Sequence, residues 1–216
     1  MATESKLFDP EGPLMLSFNT VKDLITLNLL TILCALPIIT MGASFTAMHY
    51  TALKMVRNEE GYISKTFFKS FRENLKQGIG ISVIMLIAAA FIGLDFYATT
   101  WFQDDPAFVK FAVVMLVLMG AAFIMTVTFL FPVQAKLVAT VGQNISNAFK
   151  MALSHFPITL LMIFFNLAPF ALCYFVHILI PLLFVFGFSV PAFWDAKVYD
   201  KIFRKLEGNA DAGQDI

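Results

Sequence analysis

Uncharged stretches dominate this chain, and its charged positions fall between them. Leu24–Met41 and Gln77–Leu94 each run 18 residues without an ionic side chain, Phe111–Ala135 runs 25, and Met151–Trp194 runs 44 with only His155 and His177 as titratable groups. A helix needs roughly 20 apolar residues to cross the hydrocarbon of a bilayer. Backbone amides in lipid find partners only within a helix or a closed barrel, and none of the runs has the period-two alternation of a barrel strand. The pattern predicts an all-α, polytopic membrane helical bundle with five to six membrane helices.

Breakers set the boundaries. Segments are expected near 24–41, 77–98 and 110–135. The long last run must fold into a hairpin of 156–174 and 179–195, turning near Phe175–Ile178, with Pro157, Pro169, Pro181 and Pro191 as punctuation. Proline removes a backbone donor and crowds the preceding turn, so Pro37 ends the first segment. Gly42 then permits a tight reversal or a close helix approach. The following stretch, Ala43–Val56, carries Ser44, Thr46, His49, Tyr50 and Thr51. Its length of ~21 Å falls short of a hydrocarbon core of ~30 Å. Two readings are open: a short segment over 43–57 that returns through the membrane, giving six, or a surface helix, giving five.

Between this stretch and the next apolar run, Ser64–Lys76 has Phe67, Phe68, Phe71 and Leu75 on one side of a helix and Lys65, Lys69, Arg72 and Lys76 on a neighbouring side. This is the pattern of an interfacial amphipathic helix over 64–76, with rings in the acyl boundary and cations at headgroups. The same helix could dock a cytoplasmic partner. At the other end, 1–206 form the membrane domain, and 207–216 are expected to be a disordered acidic tail.

Charge gives direction. Basic residues concentrate in Gly42–Lys76, at Lys136 and Lys150, and at Lys197, Lys201, Arg204 and Lys205, whereas Asp95–Lys110 holds a single one. By the positive-inside rule those basic regions and the C-terminus are cytoplasmic. With six segments the N-terminus joins them; with five it lies outside. The first 23 residues lack the basic start and cleavage pattern of a signal peptide, so Leu24–Met41 is expected to remain as an anchor.

Composition agrees: 59% of residues are hydrophobic and 14% charged, with zero formal net charge, which argues for the lipid bilayer as partner and against nucleic acid. No phosphate loop, HExxH, GxSxG or metal-spaced Cys/His set is present. The expectation is no enzyme, no cofactor and no metal. Cys34 and Cys173 read as small buried apolar residues.

Asn28, Asn166 and His177 fall within or near spans, where polar side chains either bond across helices or line a pathway. Asp95 with Tyr97 and Trp101, and Trp194 with Asp195 and Tyr199, read as interfaces, so no span is expected to hold a buried carboxylate. Ala89 with Gly93, and Gly120 to Ala122, are small enough for close helix contact within the chain or in an oligomer.

The N-terminal third carries a recognisable series: Asn28-Leu29-Leu30, then Leu36 to Ala43 with Pro37 and Gly42, Thr46-Ala47, then Leu53 to Tyr62 with Arg57, Asn58, Glu59, Glu60 and Gly61, then Phe67 to Gln77 with Lys69 and Arg72. It resembles the YesL-like family of small bacterial membrane proteins. Asn58 departs from the small or acidic residue expected there. The resemblance implies a plasma-membrane protein with an accessory role beside carbohydrate ABC importer subunits or their sensor kinase, and it supplies no catalytic residue. Arg57 is expected to pair with Glu59, Glu60 or a partner's acid, or else to sit in a solvated loop. Three functions compete: the accessory role; a small transporter with a polar cavity lined by Asn28, His49 or Asn166; and an ABC permease, which is disfavoured by the absence of a Glu-Ala-Ala…Gly coupling loop.

Overall fold

The computed structural model describes residues 13–59, 61–99, 101, 106–137 and 139–212. Among these, all regular structure is helical: α1 (Pro13–Ala35), α2 (Met41–Val56), α3 (Ile63–Thr99), α4 (Pro106–Lys136), α5 (Val141–Ser154), α6 (Phe156–Phe175), α7 (Ile180–Phe186) and α8 (Ser189–Ala212). Single 3-10 turns, Ile38–Thr40 and His177–Leu179, join α1 to α2 and α6 to α7. Four helices, α1, α3, α4 and α6, are long and apolar enough to cross a membrane; a fifth span forms if the segments either side of the α7–α8 break, bent by 58°, count as one.

The α1–α2 hairpin favours the returning segment for the short polar stretch. Ser44 Oγ donates to the Thr31 carbonyl and Thr40 Oγ1 to the Cys34 carbonyl, a pairing in which residue numbers rise on one helix as they fall on the other. Thus α2 returns toward the end where α1 began. At 16 residues it is about 24 Å long and is not one of the spans. It is instead the centre of the bundle, packing against α1, α3, α4 and α8, with its Ala, Ser and Thr side chains buried. Small residues suit a helix surrounded by helices, because backbones can then approach closely. The closest approach is to α3: a Cβ on Gly42 would lie 2.5 Å from the Gly78 carbonyl oxygen, and one on Gly78 would lie 2.5 Å from Ala43 N.

Asn58 closes α2. Its φ is 53°, and the Asn58 and Glu59 amides donate to the Met55 and Lys54 carbonyls, the paired bonds of a Schellman ending. Asn is among the few non-glycine residues that tolerate this left-handed conformation, which explains the departure noted in the sequence.

The sequence separates an interfacial helix over 64–76 from a span over 77–98; the structure runs both as one 37-residue helix, α3. A change from charged to uncharged positions is a change of solvent, and nothing between Lys76 and Gly80 breaks the helix. Nor does its Phe face enter lipid. Phe67 is fully buried in the core shared with α2, and Phe71 stacks on it at 6.2 Å and packs against the same core; of the three rings Phe68 alone is exposed, by 39%.

Two further boundaries shift. The region between Lys136 and Lys150 holds most of α5, which runs on to Ser154 and is opened by a capping box in which Gln143 N–H donates to Thr140 Oγ1 and Thr140 N–H to Gln143 Oε1. Helix α8 continues to Ala212, through the start of the expected disordered tail; 213–216 lie outside the described residues. Pro157 and Pro181 stand at helix starts, while Pro132 and Pro169 lie inside α4 and α6 without ending them.

Candidate functional site

Three polar joints between helices involve Asn28, Thr46 and Ser82, while His177 lies exposed in the turn between α6 and α7. Asn28, fully buried on α1, sits at the α7–α8 break. Its Nδ2 donates to the Phe184 carbonyl at 2.7 Å, and its Oδ1 accepts from the Phe188 and Ser189 amides at 2.9 and 3.0 Å. A break in a membrane helix frees backbone groups that lipid cannot satisfy, and one side-chain amide, with both a donor and an acceptor end, meets them. Thr46 on α2 donates to Gln134 Oε1 on α4 at 2.8 Å. Ser82 of α3 accepts from Gly42 N–H at 2.7 Å, satisfying one of the open amides at the start of α2. Pro37 lies in the exposed turn of the hairpin.

Asn166 leads to the largest correction. Its Nδ2 donates to Asp195 Oδ2 at 2.6 Å, and Asp195 is 2% exposed. The sequence reads Asp195 as an interface residue because it ends the long uncharged run. In the structure α8 passes that point still packed on α6, so the carboxylate lies inside. Tyr199, assigned to the same interface, is also fully buried and donates to the His49 carbonyl at 3.1 Å. Asn28, His49 and Asn166 do not converge on one cavity. Each is committed to a different neighbour, His49 by stacking on Phe131 at 6.5 Å.

At the charged end Arg57 finds an unexpected partner. Its Nε donates to Asp200 Oδ1 at 2.6 Å, while Arg204 Nε donates to Asp200 Oδ2 at 2.7 Å. Asp200 thus joins α2 to α8 with both oxygens occupied. Glu59 is taken by Lys54 at 2.5 Å, and that hydrogen bond holds its carboxyl below the usual range. Glu60 lies outside the described residues. The i,i+4 spacing of Asp200 and Arg204 was visible in the sequence; the reach from Arg57 was not.

Beyond this joint the first turns of α3 form an open face. Lys69 and Arg72 stand beside Lys65, Phe68 and Glu73 along a shallow groove of about 510 Å³. The other side of the same turns is fixed by Phe67 and Phe71 in the core, so the face is held rigidly. It is the candidate interaction site.

The small-residue pairs fall elsewhere. Ala89 is exposed, and a Cβ at Gly93 or Gly120 would meet nothing within 4 Å, so close internal packing belongs to Gly42 and Gly78 instead. Both cysteines are free thiols. Among the described residues no group of three His, Cys, Asp or Glu side chains is arranged to hold a metal.

The residues that build the α1–α2 hairpin, its Schellman ending and the rigid α3 face all lie within one short stretch of the chain. Residues 24–96 match a family described as Protein of unknown function, DUF624. The match covers the second half of α1, all of α2 and nearly all of α3, and it excludes Asn166, Asp195 and Asp200. No curated protein and no solved structure matches the chain.

Proposed function

We propose that the protein is a non-enzymatic accessory subunit of the bacterial plasma membrane, which holds a rigid charged face for a partner membrane complex. The observation that carries this reading is the α3 face of Lys65, Phe68, Lys69, Arg72 and Glu73, which is exposed on one side and anchored through Phe67 on the other. Aromatic residues and arginine are the types enriched in interaction surfaces; Phe68 and Arg72 supply one of each, with the lysines as a charged rim. The commitment of Asn28 and Thr46 to structural bonds supports the same reading, because it leaves the span polar groups holding helices together. The resemblance to the YesL-like family suggests carbohydrate ABC importer subunits or their sensor kinase as the partner. The positive-inside rule puts this face and the C-terminus in the cytoplasm.

The test is site-specific photocrosslinking from position 68 in intact cells, followed by identification of the adduct. Adducts with importer or kinase subunits that vanish in Lys69→Glu/Arg72→Glu support the proposal. Adducts formed only with a second copy of the chain, or adducts indifferent to those charges, refute it.

A second reading rests on Asp195. An intramembrane carboxylate facing Asn166 is the kind of group that proton-coupled transporters use. Purified protein in liposomes that moves solute only under a proton gradient, and loses this in Asp195→Asn, would favour a transporter.

A further inference from the structure

Two grooves meet at Trp194. One, of about 880 Å³, opens at the charged end between α6 and α8; it is lined by His155, Lys197, Lys201 and Lys205 over a floor that includes Val56 and Ile158. The other, of about 560 Å³, runs along α6, α7 and α8 in the apolar region opened by the break, between Leu172, Leu183, Val190 and Pro191. Trp194 lines both. Its indole stacks on Phe165 at 5.5 Å and 6°, and Lys197 Nζ lies over the same indole at 5.4 Å from its centroid.

We propose that these joined grooves form a binding site for an anionic phospholipid, with its phosphate held by Lys197, Lys201 and Lys205 and an acyl chain lying in the α6–α8 groove past Trp194. Three features argue for this occupant. The lysines recur every fourth residue, so they share one side of α8 and present a column of donors. The acid within the groove does not cancel them, because both oxygens of Asp200 are already bonded to Arg57 and Arg204. The basic groove and the apolar slot share a tryptophan in their linings, the residue that marks the headgroup level of a membrane protein. A free anion would use the lysines alone, and an apolar ligand the slot alone; a lipid with a charged head uses both. Cations at this level attract anionic headgroups appreciably, each lysine adding to the effect.

The chain has two tryptophans, which makes the site readable by fluorescence. In Trp101→Phe protein reconstituted in nanodiscs, Trp194 reports alone. Phosphatidylglycerol with brominated acyl chains should quench it at a mole fraction at least about fivefold lower than brominated phosphatidylcholine. The preference should disappear in Lys197→Gln/Lys201→Gln/Lys205→Gln and persist in Lys65→Gln/Lys69→Gln/Arg72→Gln. With Trp194→Phe, Trp101 at the far end of α3 should report no preference. That comparison needs no lysine variant, so it decides the matter even if the triple variant does not fold. Equal quenching of Trp194 by the two lipids would leave the groove to a protein partner and overturn the assignment. So would a preference that survives loss of the three α8 lysines, or one that vanishes with the α3 cations.

Discussion

Arg57 and Asp200 are 143 residues apart in sequence, yet Nε and Oδ1 lie 2.6 Å apart, with side chains only 11% and 9% exposed. Arg57→Ala leaves the largely buried Asp200 carboxylate with Arg204 as its remaining partner, so the loss is that of one charged hydrogen bond. Arg57→Ala should therefore cost about 2 kcal/mol, measured by thermal unfolding in detergent. Arg57→Asp combined with Asp200→Arg should recover part of that loss; a double variant no better than the sum of the singles would show that the pair is not coupled.

Asn28 offers a sharper case, since one side chain serves three backbone groups. Asn28→Leu fills similar space but leaves the Phe184 carbonyl and the Phe188 and Ser189 amides unmet. The expected loss is about 3 kcal/mol, with increased hydrogen exchange confined at first to 183–189. An unchanged exchange pattern would mean that the break does not depend on α1.

Glycine substitutions should sort by what surrounds them. Gly42→Ala and Gly78→Ala each drive a methyl into the neighbouring backbone at 2.5 Å and should cost about 2–3 kcal/mol or more through overpacking. Gly93→Ala and Gly120→Ala meet open space and should be neutral or mildly stabilising, because alanine is the better helix former. Melting temperatures of the four variants in one detergent make the comparison.

The Asn166–Asp195 bond gives a prediction of opposite sign for two changes at one joint. Asn166→Leu withdraws the amide donor from a buried carboxylate and should destabilise by about 2 kcal/mol. Asp195→Asn removes the charge while keeping an oxygen for Asn166, and should be tolerated or stabilising. If both variants melt together, the bond carries no weight in the fold.

Sidedness is testable by cysteine labelling in a Cys34→Ala/Cys173→Ala background. Because α2 folds back along α1, Ser5→Cys and Gly61→Cys should behave alike, both protected from an impermeant maleimide in intact cells while Trp101→Cys is labelled. Labelling of Ser5→Cys with protection of Gly61→Cys would mean that α1 crosses and α2 does not return.

What could be read from the sequence was mostly a matter of solvent preference. The limits of α4 and α6 follow from where charges stop, and each lies within a few residues of its expected place. Errors arose where two elements share a solvent or a partner lies far along the chain. Lys76 marks a change of surroundings without marking a helix end, so α3 was divided in two. The Thr140–Gln143 capping box was legible, but it was hidden in a stretch treated only as a charge-bearing loop. Asn28 stands out as a polar residue within a span, Gly42 as a point of reversal or close approach, and Thr46 as part of a short polar stretch. Their partners Ser189, Gly78 and Gln134 depend on which helices become neighbours, and hydropathy along one strand of sequence does not encode that. Asp195 was misread for the same reason: its exposure is decided by α6.

The clamp at Asn28 also orders the chain's biogenesis. The acceptor end of that amide waits for groups 160 and 161 residues downstream, and at ~5–20 residues per second of synthesis the interval is on the order of ten seconds or more. Throughout that time α1 carries an amide whose partners have not yet been made. Completion of the bundle is therefore a closing step in which α1 and the α7–α8 break recognise each other. A chain cut short before residue 183 would leave that amide with none of its partners at the break.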